Sequence, residues 1–175
     1  SLSRITGGPQ MGAAGLTGVL RGDGAGWRFT GDAAVSAVDL GGYGLNRIGG
    51  PLEVVTGKTG VHVEARLAGA GGRGEGFAAA LLGGAPTAAL SAERLANGQI
   101  LLRDLDVAGR GLRVEASGGR SLLGGLTFKG RASVSNLEAA QAGARGGAAA
   151  DWQAAQARAG APWTFTLDAR GQRLA

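Results

Sequence analysis

Between Val61 and Leu67 every odd-numbered residue is apolar and every even-numbered one is polar. Side chains alternate faces along an extended strand, so this stretch has one apolar face and one wet face, whereas a helix would scatter the same positions around its surface. The alternation returns in Leu112-Arg113-Val114-Glu115-Ala116, in Trp163-Thr164-Phe165-Thr166-Leu167-Asp168-Ala169 and, with smaller apolar members, from Phe128 to Ser135. Gln99 to Val107 reads as a strand with a less regular pattern, as a β-bulge would produce. Turn signals punctuate the chain at Gly22-Asp23-Gly24, Gly41-Gly42, Gly49-Gly50-Pro51, Asn97-Gly98 and Gly118-Gly119. Asn-Gly is the strongest of them, because both residues tolerate positive φ. Short strands at spacings of roughly 8–12 residues predict an all-β antiparallel meander.

Composition sharpens this reading. Glycine and alanine make up 70 of the 175 residues, while Leu, Ile, Val and Phe together supply 38. That is just above the level of roughly one-fifth below which chains tend to stay disordered, so a core exists but is thin. Cysteine is absent and His62 is the single histidine, which excludes disulfide scaffolds, thiolate sites and multi-histidine metal centres. No apolar run approaches the roughly 18 residues of a membrane-spanning helix. Arginine accounts for 16 of the 18 basic residues behind the net charge of +5. These arginines are scattered rather than gathered into the stripe that a phosphate backbone requires, so no nucleic-acid partner is expected.

The motifs that suggest chemistry have simpler explanations. Gly69-Ala70-Gly71-Gly72-Arg73-Gly74 matches the dinucleotide-binding G-x-G-x-x-G, with Glu93 where a ribose-binding acid would sit. Glycine is so frequent that such a match arises by chance. The preceding strand also has a wet face, where a parallel strand covered on both sides would be apolar throughout. His62 stands on the polar side of its strand with Glu64 two residues on, and reads as a solvent-facing cross-strand partner. Asp104 and Asp106, flanked by Arg103 and Arg110, read as a solvated strand face. With no serine elbow and no phosphate-binding loop, the chain is read as a non-enzyme without cofactor or metal.

Two stretches admit helix. Leu137 to Ala142 reads as a short turn after Asn136, and Ala148 to Ala159 as either a short helix or a strand and loop containing Asp151-Trp152-Gln153. The phrase Phe29-Thr30-Gly31-Asp32-Ala33-Ala34-Val35-Ser36 is echoed at Phe128-Lys129-Gly130-Arg131-Ala132-Ser133-Val134-Ser135, either by coincidence in a low-diversity sequence or as a degenerate repeat. The chain is taken as one segment, 1–175, of a longer repetitive β-sheet protein, with a division into 1–50 and 51–175 as the alternative.

A sheet must bury its apolar face against something. The candidates for that face are Trp27, Phe29, Val61, Val63, Leu67, Leu112, Val114, Leu126, Phe128, Val134, Trp163, Phe165 and Leu167. They line either a packed core or a trough that holds a ligand.

The phrases Gly111 to Gly118, Leu126 to Leu137 and Trp163 to Gly171 resemble the TamB (translocation and assembly module) family within the AsmA-like group of Gram-negative envelope proteins. The resemblance runs from about Gly49 onward. It implies an elongated, open, curled β-groove with an apolar interior, in a periplasmic protein anchored to the inner membrane outside this segment. It also implies phospholipid, or unfolded outer-membrane β-strands, as client, and an Omp85-class partner bound by other regions. It brings no catalytic residues. The groove lining is expected to be the candidate residues above, with Gly31 and Gly130 either leaving room for acyl chains or allowing sharp curvature. The rival reading is a β-solenoid or adhesin-like segment with a filled core and no ligand path.

Overall fold

The computed structural model describes residues 11–23, 25–39, 42–135, 137–139 and 146–172. It contains strands β1 (Ala14–Asp23), β2 (Gly26–Asp39), β3 (Tyr43–Gly57), β4 (Gly60–Ala70), β5 (Arg73–Gly74), β6 (Thr87–Leu95), β7 (Ile100–Ala108), β8 (Leu112–Arg120), β9 (Leu126–Val134), β10 (Gly147–Gln156) and β11 (Trp163–Gln172). One short helix, α1 (Gly76–Leu82), and a single 3₁₀ turn at Leu137–Ala139 complete it. The strands form one antiparallel sheet in the order β1-β2-β3-β4-β6-β7-β8-β9-β10-β11, with the two-residue β5 paired to β3 off this path. The sheet is open and does not close into a barrel.

The meander follows from the alternating pattern and its turns. At Asn97-Gly98 the chain reverses between β6 and β7, with Gly98 at φ 92° and the Asn97 side-chain oxygen accepting from the Gln99 amide at 3.0 Å. Asp23 caps the β1–β2 reversal by accepting from the Ala25 amide at 2.8 Å. The irregular strand is bulged as expected. The β6–β7 register shifts between Ser91 and Ala92, and the β7–β8 register between Leu102 and Leu105.

Three expectations need correction. Of the two readings of the stretch from Ala148, the strand holds, as β10, and the helix does not. Alanine is the best intrinsic helix former, but propensity is a small term, and pairing with β9 and β11 along the strand overrides it. Gly49-Gly50-Pro51 and Gly118-Gly119 lie inside β3 and β8 rather than in turns. Gly118 is needed there because a Cβ would meet the Thr127 carbonyl and, at 2.6 Å, the Phe128 ring. Asn136, the expected cap of the short turn, lies outside the described residues, as do 140–142. Position 50–51 falls within β3.

Among the described residues the one compact cluster sits at one end of the strands. Val38, Tyr43 and Leu45 are buried together, with Val35, Ile48, Ala79 and Leu82 packed against them. Ala37 has φ 50°, and this left-handed residue lets Val35 and Val38, of opposite parity, reach the same cluster. Leu81 of α1 is 0% exposed. The helix is pinned by the Tyr43 hydroxyl donating to the Gly83 carbonyl at 2.7 Å, and by the Arg110 and Gly111 amides donating to Leu82 and Leu81. Burial pushes the Tyr43 phenol up from its ordinary pKa.

Candidate functional site: an uncovered apolar sheet face

Paired residues of an antiparallel sheet stand on the same face, so the registers sort the side chains. One row crosses ten strands as Leu20, Phe29, Val54, Val63 and Ala92, and then Leu102, Gly118, Phe128, Ala154 and Phe165. No polar residue interrupts it. The neighbouring row passes through Gly31, Leu52, Ala65, Leu90, Leu105, Ala116, Gly130, Trp152 and Leu167, again with no polar residue. Nine strand spacings make this apolar strip about 43 Å wide.

All of the sequence candidates fall on this face. Trp27 pairs with Gly22 beside Phe29, and Val61, Val63 and Leu67 share it in β4. Leu112 and Val114 in β8 meet Val134 and Ala132 in β9, where Leu126 and Phe128 also lie. Trp163, Phe165 and Leu167 complete it in β11, the first two stacked with ring centroids 6.0 Å apart. Sequence reasoning missed Leu52, Val54, Leu90, Leu105 and Trp152. The alternation Ala88-Ala89-Leu90-Ser91-Ala92-Glu93 was a legible signal for β6, whereas Trp152 was hidden by the helix-like alanines around it.

The face is smoothed by its own aromatic rings. Phe29 lies against Gly18, Phe128 against Gly118 and Trp152 against Gly130, each within 2.6–2.8 Å of where a glycine Cβ would project. The room expected at Gly130 is therefore filled by the Trp152 ring. At Gly31 a Cβ would meet the Thr17 carbonyl and, at 2.6 Å, the Gly18 backbone. These glycines seat rings and neighbouring strands rather than leaving gaps for a ligand.

The opposite face carries the charge. Arg28 pairs with Glu53, Arg113 with Asp106 and Glu115, and Arg170 with Asp168. His62 lies 3.1 Å from Glu64 and 3.5 Å from Glu93, and Arg103, at the bulge, reaches Glu93 at 2.8 Å. The hydrogen bond from Arg103 holds the Glu93 carboxyl below its usual range, helped by the Arg103 and His62 charges and opposed by partial burial. Depressions of about 590 and 620 Å³ open mainly on this polar side, lined by residues such as Lys129, Arg131, Asp151 and Thr164. Asp104 and Asp106 both stand on this polar face, as their spacing implied. The glycine-rich stretch at Gly69–Gly74 does not open a parallel unit: β4 pairs antiparallel with β6, and α1 has only seven residues.

Among the described residues no group of three or more His, Cys, Asp or Glu side chains is placed to hold a metal ion, and no helix is long and apolar enough to cross a membrane. What the arrangement offers is a broad apolar surface without a second layer of protein over it among the described residues. Compared with known proteins, the chain matches no family model, no curated protein sequence and no solved structure.

Proposed function

We propose that this chain is a segment of a TamB/AsmA-like envelope protein whose apolar sheet face shields phospholipid acyl chains on their way towards the outer membrane. The observation that carries the reading is the uninterrupted apolar row from Leu20 to Phe165, uncovered on a sheet with open edges. A surface of interdigitated side chains without a deep pocket suits a ligand recognised by its hydrocarbon alone. Each methylene removed from water stabilises the bound state by about 0.8 kcal/mol, so an acyl chain is held without a specific anchor and can slide. On this reading the segment works in the periplasm, in a protein anchored to the inner membrane and joined to an Omp85-class partner by other regions. Outer-membrane β-strands are the second client class, and the edges of β1 and β11, unpaired among the described residues, favour it, since an added strand would complete their hydrogen bonds. A filled β-solenoid is disfavoured by side chains such as Phe165, which is 75% exposed.

The test is native mass spectrometry with lipid extraction on protein purified from an envelope fraction. Co-purified phospholipid is expected, and Val63→Asp with Phe165→Asp should remove it. Folded, β-rich protein that carries no lipid would overturn the acyl-chain reading and leave the strand-client and structural ones.

A further inference from the structure

The apolar face is not the same at its two ends. At one end of the strands α1 and the Val38–Tyr43–Leu45 cluster close it off. At the other end a cross-sheet row runs Thr56, Val61, Arg94, Ile100, Arg120, Leu126 and Gln156. From β3 to β11, Arg94 and Arg120 are the two charged residues whose register puts them on the apolar face, and no acidic residue stands there. Both arginines are exposed, and neither is in an ion pair among the described residues. They flank Ile100, so their backbones are two strand spacings, about 10 Å, apart, and long side chains from both can reach one group between them.

We infer that this end is a headgroup site, at which Arg94 and Arg120 take the phosphate of a phospholipid whose acyl chains lie along β6 to β8 towards α1. The inference rests on the acyl-chain reading and adds a direction to it. Charge complementarity argues for the occupant: guanidinium groups bind phosphate through paired, charge-assisted hydrogen bonds, and nothing anionic on this face competes. Length argues for it too. From Arg94 to Ala88 the strand rises about 20 Å, and one leaflet of a bilayer offers about 15 Å of hydrocarbon. Tails that start at the arginine row therefore end before the helix-capped end. Between the two lie Ala92, Leu90, Leu102 and Leu105, all apolar.

The experiment loads the full chain from phosphatidylglycerol vesicles, from dispersed dioleoylglycerol, or with inorganic phosphate alone, and reads retained ligand by native mass spectrometry. Arg94→Gln with Arg120→Gln should weaken phosphatidylglycerol retention by about tenfold or more while leaving dioleoylglycerol retention unchanged. Arg94→Lys with Arg120→Lys should recover most of it. Circular dichroism checks that these surface variants remain folded. Equal phosphatidylglycerol retention by wild type and the Gln variant would overturn the headgroup site and leave acyl shielding standing. A wild-type chain that retains neither lipid would overturn the acyl reading itself. Binding of inorganic phosphate that displaces no lipid would mark a soluble-anion site and overturn the inference as well.

Discussion

Glu93 shows how a single residue ties the two strands beside it together. It stands opposite His62 in β4 and accepts from Arg103 in β7, so one carboxylate links three strands on the wet face. The Arg103 hydrogen bond lowers its pKa from the ordinary 4.5. A carboxyl lowered on folding contributes stability that is complete above its unfolded pKa and is lost as pH falls through the folded value. Arg103→Gln should move the Glu93 carboxyl titration upward towards 4.5 and shrink the stability lost in that acid window. Carbon-detected NMR titration of the Glu93 side chain checks this, and an unmoved midpoint would contradict it. The Phe128 and Trp152 rings work at the same scale on the other face, each occupying the space over a glycine of the preceding strand. The echoed Phe-x-Gly phrases at Phe29 and Phe128 both put their Phe and Gly on the apolar face.

At the scale of elements, α1 is the only helix of more than one turn among the described residues, and it owes its place to tertiary contacts. Seven residues are too few for a helix to be stable alone. It has no side-chain cap, and its Leu81 is the fully buried anchor. Leu81→Ala should cost about 2–5 kcal/mol, and Tyr43→Phe, which removes the donor to Gly83, about 1 kcal/mol. Hydrogen exchange locates the effect: the Arg110 and Gly111 amides, which donate to Leu82 and Leu81, should lose protection first. Unchanged protection at both amides in Leu81→Ala would mean that α1 does not hold this end of the sheet. Strand β10 makes the complementary point. Its even residues from Ala148 to Ala154 face the apolar side while Asp151 and Gln153 face the wet side, so its alanines act as small members of a strand pattern.

The described residues form a single sheet, with α1 packed at one end of it. The accessible surface is 11672 Å², against about 7,800 Å² for a compact chain of this mass. Among the described residues seven hydrophobic side chains are buried, and three of these are alanines. The edge strands carry the greatest exposure, because their side chains have a cross-strand neighbour on one side only. Leu20 and Leu167 are 65% and 68% exposed. Such edges, flanked by apolar side chains, pair readily with another chain. Sedimentation velocity should show concentration-dependent association of the wild-type chain, weakened in Leu20→Lys with Leu167→Lys. Monomeric wild type over the whole accessible range would contradict this.

The sequence by itself determined the strands and their faces. Alternation in Val61–Leu67, Leu112–Ala116 and Trp163–Ala169 is a local property, since consecutive side chains on an extended backbone must point to opposite sides. It therefore named the apolar face correctly before any register was known. Asn97-Gly98 specified its turn for an equally local reason, as both residues tolerate the backbone that a tight reversal requires. Tertiary structure decided what depends on the neighbouring strand. Gly118 and Gly119 look like a turn in sequence and become strand because β7 and β9 pair with both of them. The stretch from Ala148 reads as helix or strand in sequence and becomes strand because two partners offer their hydrogen bonds. Arg94 and Arg120 look like two scattered charges, 26 positions apart. They stand in one row at one end of the apolar face only because the meander brings β6 and β8 to either side of β7.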